Sequence, residues 1–388
     1  MSSRERRRVA LLVQTATHWS REVLRGVASY AFERGGWDFW LEQRGLGDEL
    51  ELPADWRGDG IICRLTSEKL AAQINASGLP AVNVSWLGTH SDRIPKVVSD
   101  EEAAGRMVAD YLLGKQYTSF GYCGPHPAMN YSTSVRDGYV DRLRKSGFGC
   151  LVYSYDLSCH SSDPTNPALQ RKGIEAWVAA LPKPAAVVVW SDVTGREVAL
   201  ASANLGIEVP DDLAILAIEQ DPLVSALAPW PLSSLRQDGH QVGYQAAKVL
   251  DDMLRGRTAP RLPVTIQPIE VFESFSTDTM FTSDPLVKQA VALIRAHQNE
   301  PYAVTDLVRS LAVSRRTLEM SFKKALRRSP SDEIRRCKLT QVKKLLRETE
   351  YTISQVAYSV GFSHTEVMIR QFKRDNGITP LQYRQNAK

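Results

Sequence analysis

Along residues 9–276, short apolar runs alternate with longer stretches of helical periodicity. Residues 9–13 (VALLV) open the series, followed by an amphipathic stretch from Arg21 to Arg34. WDFWLE, GIICRL, AVNVSW, KVVS, SFGYCG, CLVYSY, AVVVW and LAILAI read as further strands. Helical stretches such as Glu101 to Leu113 and Ser134 to Ser146 lie between them. Continuous apolar strands separated by helices predict parallel sheets covered by helices, because such strands are buried on both faces. The length is enough for two such lobes. Sheets of this kind take ligands beyond the carboxyl ends of their strands, so a two-lobed version places its cleft between the lobes.

From residue 285 the helical period takes over. Ile353, Val356, Ala357 and Val360 recur at the spacing of one buried helix face. Gly361 fits a left-handed turn, and Ser363 is expected to cap the following helix. That helix turns His364, Thr365, Glu366 and Arg370 outward, with Val367 and Phe372 as its core positions. A second copy lies upstream. Val304, Leu307, Val308, Leu311 and Ser314 each stand 49 residues before Ile353, Val356, Ala357, Val360 and Ser363, and Phe322 and Pro330 stand 50 before Phe372 and Pro380. A polar helix after a tight turn is the geometry that enters a DNA major groove. One such pair is common in ordinary helical cores. Two in register, about residues 304–325 and 353–374, joined by a helical run from Glu333 to Arg347, point to DNA binding.

The charge distribution points the same way. Residues 285–388 hold 20 Lys and Arg against 9 Asp and Glu, which leaves 28 basic against 35 acidic residues in the rest. The net charge of +4 therefore conceals a basic carboxyl-terminal part on an acidic body. Lys and Arg neutralise phosphate and supply most non-specific affinity for DNA. The 388 residues exceed a single core. No apolar run approaches the roughly 18 residues that span a bilayer, and the basic start before residues 9–13 lacks a cleavage site. A cytoplasmic location with reduced thiols is expected, since Cys63, Cys123, Cys150, Cys159 and Cys337 show no paired spacing. Cys159 beside His160 does not by itself make a metal site, and no metal or cofactor is expected.

Residues 353–384 resemble the second helix-turn-helix of the AraC family of transcription regulators at Ile353, Ala357, Gly361, Phe362, Phe372, Lys373, Gly377, Pro380, Tyr383 and Arg384. Met368 stands where that family usually has an aromatic residue. The amino-terminal region resembles the sugar-binding-like sensor of LacI-type repressors. The resemblance runs through LLVQTATHWSREVLRGVASYA, VVSDEEAAGRMVADYLL, AVVVWSD, GIEVPDDLAILAIEQDP and SSLRQDGHQVGYQAAKVLDDML. The two together imply an α/β, two-lobed, periplasmic-binding-protein-like sensor followed by an all-α domain with two helix-turn-helix motifs. The boundaries expected are 1–276 for sensing and dimerisation, 277–284 for a linker and 285–388 for the DNA-binding domain.

This order of sensor and reader, with VFESFSTDTMFTSDP at the join, implies a sugar-responsive activator of pentose catabolic genes. D-xylose is the implied effector, a direct-repeat operator in double-stranded DNA the implied target, and RNA polymerase and a second copy of the chain the implied protein partners. For the ligand, the positions at strand ends are Trp19, Trp86, Arg136, Asp192, Glu219, Asp221 and Gln237. A pyranose needs carboxylates, amides and guanidinium at its edges and an aromatic plate against its apolar face. Glu219 stands where relatives of the sensor family have Asp. For DNA, the first turns of the reading helices offer Arg315, Arg316, Glu319 and Lys323, then Ser363, His364, Thr365, Glu366 and Arg370. Another sugar or small molecule, or a sensor that only dimerises, remain open readings. An enzyme is not expected. There is no nucleophile elbow, no P-loop and no complete dinucleotide fingerprint, and Gly45-Leu46-Gly47 reads as a turn.

Overall fold

A computed structural model describes residues 6–42, 45, 48–86, 93–115, 117–155, 170–278 and 284–387. Cys159, His160, Leu46 and Gly47 lie outside the described residues. The chain divides into two compact units, Met1–Thr279 and Met280–Lys388.

The first unit opens with β1 (Arg7–Leu12), α1 (His18–Arg34), β2 (Trp37–Leu41), β3 (Gly60–Cys63), α2 (Glu68–Ser77), β4 (Ala81–Asn83) and β5 (Val97–Ser99). It continues through α3 (Glu101–Gly114), β6 (Ser119–Cys123), α4 (Ser134–Lys145), β7 (Leu151–Val152), α5 (Arg171–Ala180), β8 (Ala185–Val189), α6 (Asp192–Asn204), β9 (Leu213–Ile218), α7 (Pro222–Ala226) and β10 (Ser233–Arg236). It closes with α8 (Gly239–Leu254), β11 (Val264–Ile266) and β12 (Glu270–Phe272).

Two lobes result. In the first lobe, β2, β1, β3 and β4 form a parallel sheet, extended through the bridge Asn83–Lys96 towards the parallel pair β5–β11. In the second lobe the order is β12-β10-β9-β8-β6-β7, parallel except where β12 meets β10. Strand β8 shows why the apolar runs are unbroken. Val187 and Val189 pack with Ile174 and Val198 on one side, while Ala186 and Val188 pack with Val108 and Tyr139 on the other. In the first lobe α8 returns from the second to lie on α1. Gly26 and Gly243 permit this, because a Cβ there would meet the backbone oxygens of His240 and Val23 at 1.9 and 1.8 Å.

Some expected strands are shorter than the apolar pattern suggested. CLVYSY contributes only Leu151–Val152 and AVNVSW only Ala81–Asn83. Strand β10 (SSLR) was invisible to hydrophobic patterning, because it buries two serines, of which Ser233 is satisfied by hydrogen bonds instead of apolar contact. The expected linker begins at 277, yet Ser276 and Thr277 are fully buried in the first unit. Residues 279–283 of that linker lie outside the described residues.

The second unit is helical: α9 (Pro285–Ala296), α10 (Val304–Leu311), α11 (Arg315–Leu326), α12 (Pro330–Glu348), α13 (Ile353–Ser359), α14 (Thr365–Asn376) and α15 (Pro380–Ala387). The repeat holds to the residue. Leu318 and Met368, 50 apart, are both fully buried, as are Phe322 and Phe372. Pro330 and Pro380 each open a helix. The expected cap at Ser363 is corrected: His364 holds the N-cap of α14 and makes no side-chain cap bond, whereas Ser314 caps α11 by accepting from the N–H of Thr317. The extra residue of the second copy therefore falls between Gly361 and His364, ahead of the reading helix.

Gly361 turns with φ +70°, and a Cβ there would lie 2.2 Å from the carbonyl carbon of Glu300. Ala312, its counterpart, holds a left-handed φ of +51° with an alanine. Replacing Ala312 by Gly relieves that strain and should raise stability by about 0.5 kcal/mol, while Gly361→Ala should cost about 2 kcal/mol or more. Urea unfolding of the two variants, followed by helical circular dichroism, checks both signs.

Candidate functional site

A cleft opens between the lobes of the first unit where the chain passes from β5 into α3 and out of β10 towards α8. The first lobe supplies Trp19, Arg64, Val84, Ser85, Trp86 and Ser99. The second supplies Glu101, Tyr131, Ser132, Trp190, Glu219 and Gln237, over an apolar floor that includes Val135 and Ile218.

Arg64 follows β3 directly. Its N–H donates to the Leu12 carbonyl (2.9 Å), which fixes the backbone, and its guanidinium lies 5.5 Å from the Trp19 ring and reaches Ser20 Oγ at 3.3 Å. Burial lowers its pKa, opposed by Tyr131 and Glu219. Glu101 is the first residue of α3, a helix capped by Asp100 through the N–H of Ala103. Only 3% of Glu101 is exposed; the Tyr131 hydroxyl donates to one of its oxygens, and burial pushes its carboxyl up to about 7. Glu219 directly follows β9 in a left-handed conformation, φ +95°, which a non-glycine residue adopts only under constraint. Desolvation raises its carboxyl to about 7, with Arg64 opposing and Asp221 adding. Trp86 is held by its Nε1 donating to the Ser99 carbonyl at 2.9 Å, and Lys96 lies 5.0 Å from its ring. Trp190 leans on Tyr131 at 5.9 Å between ring centres.

Several buried polar atoms of this wall have no hydrogen-bond partner among the described residues: Trp19 Nε1, Arg64 Nε, Ser99 Oγ and Glu101 Oε2. Buried donors and acceptors are ordinarily paired, and leaving one unmade costs about 1–3 kcal/mol. A concentration of them around one cleft marks a place for a ligand rich in hydrogen-bonding groups.

Of the expected ligand residues, Trp19, Trp86, Glu219 and Gln237 come together on the cleft wall. Arg136, Asp192 and Asp221 are not among the residues that line it, although Asp192 Oδ1 is buried with no hydrogen-bond partner among the described residues. Arg136 lies one position past the cleft-lining Val135, so its side chain leaves the wall and pairs with Asp137 at 2.9 Å. Asp192 is buried at the start of α6, where its Oδ2 accepts from the N–H of Asp221 (2.9 Å) and burial holds its carboxyl well above the usual range. It braces the loop that carries Glu219. Asp221 caps α7 through the N–H groups of Leu223 and Val224 and faces Arg21 at 3.8 Å. Arg64 and Glu101 were missed, one as the end of a strand and the other as part of an acidic helix start. The adjacency of Asp100 and Glu101 was the available signal, since only one of two successive acids can cap a helix.

On the second unit most of the residues expected to read DNA are exposed. Arg315, Arg316, Glu319 and Lys323 are exposed on α11, with Arg315 Nε donating to Glu319 at 2.8 Å. Ser363, His364, Glu366 and Arg370 are exposed at and along α14, and Thr365 is half-buried. Among the described residues no helix is long and apolar enough to cross a membrane, and no group of three or more His, Cys, Asp or Glu could hold a metal ion.

The two buried acids set a pH dependence for the ligand-free protein. Glu101 and Glu219 both bind a proton more tightly folded than unfolded, so the stability they contribute is fullest below about pH 4.5 and is lost as pH rises through about 7. The loss should be up to about 1 kcal/mol per group per pH unit, and Glu101→Gln should flatten the profile. Thermal unfolding across this range is the measurement; a Glu101→Gln profile as steep as that of the parent would show the acid to be unburdened.

Comparison with known proteins completes the picture. Residues 109–277 match the periplasmic binding protein-like domain and residues 307–386 a helix-turn-helix domain. The xylose operon regulatory protein of Haemophilus influenzae is 26% identical over 390 residues, covering 98% of each chain. That of Escherichia coli K12 is 25% identical over 388 residues, 98% of this chain and 97% of the relative. The solved structure of the xylose-binding transcription activator XylR superposes with a TM-score of 0.72 at 23% identity, over 98% of both chains, and shows the fold. The relatives are transcription regulators, not enzymes. The chain is a DNA-binding transcription regulator that joins a periplasmic binding protein-like domain to a domain with two helix-turn-helix motifs, and it is similar along its length to the xylose operon regulatory proteins.

Proposed function

We propose that the cleft binds a monosaccharide, D-xylose in the first instance, and that binding draws the lobes together and switches on DNA binding. The observation that carries this reading is the set of unpartnered buried polar atoms on a cleft wall that also holds Trp19 and Trp86. Sugar hydroxyls both donate and accept, and indole rings suit the apolar face of a pyranose. The names of the relatives supply the first sugar to try. The remainder follows the family: a homodimer in the cytoplasm sets two reading helices per chain on direct repeats and recruits RNA polymerase to pentose genes. A ligand shifts the open–closed equilibrium only by its difference in affinity for the two forms.

Titration with D-xylose and a panel of pentoses and hexoses, followed by thermal shift and tryptophan fluorescence, tests this. Saturable stabilisation by D-xylose is expected, with affinity reduced about tenfold or more in Arg64→Ala. A response to another sugar alone would reassign the effector. Silence across the panel would favour a sensor that only dimerises.

For the DNA-binding half, Arg315→Ala should cost about 1–3 kcal/mol of operator affinity and relax preference at one base pair. A uniform loss across all sequences, with a shallower salt dependence, would assign Arg315 to phosphate instead.

A further inference from the structure

The last residues of the sensor are fastened into its second lobe by a chain of buried hydroxyls. Thr277 Oγ1 donates to Ser233 Oγ (2.7 Å), which donates to the Ser274 carbonyl (3.1 Å) and accepts from the Ser274 N–H (2.8 Å). With its proton so used, Thr277 Oγ1 accepts from the Tyr111 hydroxyl of α3 at 2.8 Å. Ser276 closes a second loop, donating to the Ile215 carbonyl at 2.5 Å and accepting from the N–H of Ser233 at 2.7 Å. Lys115 of α3 adds an ion pair to Glu273 at 2.8 Å. Ser233, Ser276 and Thr277 are all fully buried. In a satisfied buried network each hydroxyl has one productive direction, so the network holds a single geometry.

The strands it grips are those that reach the cleft. Ile215 lies in β9, which runs on to Ile218 and Glu219, and Ser233 opens β10, which leads to Gln237. The grip therefore sits about 13 Å below the cleft wall, at roughly 3.3 Å per residue along both strands.

We propose that this hydroxyl knot couples the cleft to the DNA reader. It makes residues 274–278 a rigid part of the second lobe, so that displacement of β9 and β10 on ligand binding is delivered to the chain that enters the DNA-binding unit. The proposal rests on the reading of the cleft as a sugar site. A loosened segment would absorb the displacement while leaving the cleft walls, and hence sugar binding, intact.

Thr277→Val keeps the shape of the side chain and removes its hydroxyl bonds to Ser233 and Tyr111; Tyr111→Phe removes the bond to Thr277 and leaves the Thr277–Ser233 bond in place. In full-length protein, D-xylose affinity is read by calorimetry, and operator affinity with and without D-xylose by fluorescence anisotropy. Both variants should bind D-xylose within about twofold of the parent, while the sugar-induced gain in operator affinity falls about fivefold or more in Thr277→Val and less in Tyr111→Phe. Normal sugar binding with an undiminished gain in Thr277→Val overturns the proposal. A parent protein whose operator affinity ignores sugars defeats the functional reading instead, and amide exchange of the ligand-free protein then judges the knot. Exchange of residues 274–278 in step with β9 and β10 in the parent, and ahead of them in Thr277→Val, supports it. Independent opening of that segment in the parent overturns it.

Discussion

The chain passes between the lobes of the sensor at residues 99–101, 236–239 and 266–270, and this constraint places the polar groups of the cleft. A crossing leaves a sheet, so its backbone loses ladder partners while still surrounded by protein. Here that gap is filled by short-range capping: Asp100 takes the N–H of Ala103, and Asp238 that of Gln241. With the caps occupied, the residues beside them, Ser99, Glu101 and Gln237, are free to face the cleft. The candidate ligand residues and the crossings between the lobes thus lie within a residue or two of each other. A group that is paired only when the lobes approach converts ligand affinity directly into a preference for the closed form.

In the DNA-binding unit the corresponding constraint is one helix shared by both motifs. From α12, Lys338 donates to the Gly361 carbonyl (2.9 Å) at the turn of the second motif and lies 5.4 Å from the Phe362 ring. Arg335 reaches Asp375 of α14 at 3.2 Å. Towards the first motif, the fully buried Glu333 binds Arg328 at 2.7 Å, just past the end of α11, and Arg336 at 2.6 Å. Breaking a buried pair by removing one partner costs about 3–5 kcal/mol. Polar ties from the first half of α12 to both motifs therefore hold the two reading helices to a common support, which a basic surface alone would not do.

How much of this the sequence disclosed depended on the kind of signal. The parallel sheets were legible, because strands such as LAILAI are apolar on both faces, and the duplicated motif was legible because burial recurs with the helical period at Leu318 and Met368, Phe322 and Phe372. The cleft was legible in part. Tryptophans and acids at strand ends could be named, but whether a side chain faces the cleft turns on one residue of helix phase, as Val135 and Arg136 show. Asp221 spends its carboxylate on a helix cap, and Asp192 spends Oδ2 on the backbone while its Oδ1 stays buried without a partner among the described residues. Arg64 was hidden for the opposite reason: an arginine after a buried strand reads as the point where the chain surfaces, and only the folded lobes keep it covered. The cap at Ser363 failed because a repeat with one inserted residue has two possible alignments across the insertion, and the helix start follows the later one.

The charge balance of the cleft narrows what it can hold. Arg64 offers donors, and Glu101 and Glu219 offer carboxyls that burial keeps partly protonated near neutrality. A hydroxyl donates and accepts, and so answers Arg64 and Glu101 alike without changing the net charge of the site. A carboxylate or phosphate would answer Arg64 and be opposed by both acids; an ammonium would answer the acids and be opposed by Arg64. The strain at Glu219 fits the same account. Its φ of +95° sets the carboxyl at the cleft, where desolvation makes it costly, and the cost is recovered when a neutral ligand pairs with it. A cleft that is least comfortable when empty gains most from being filled, and on the proposed function that difference is the free energy available to switch DNA binding.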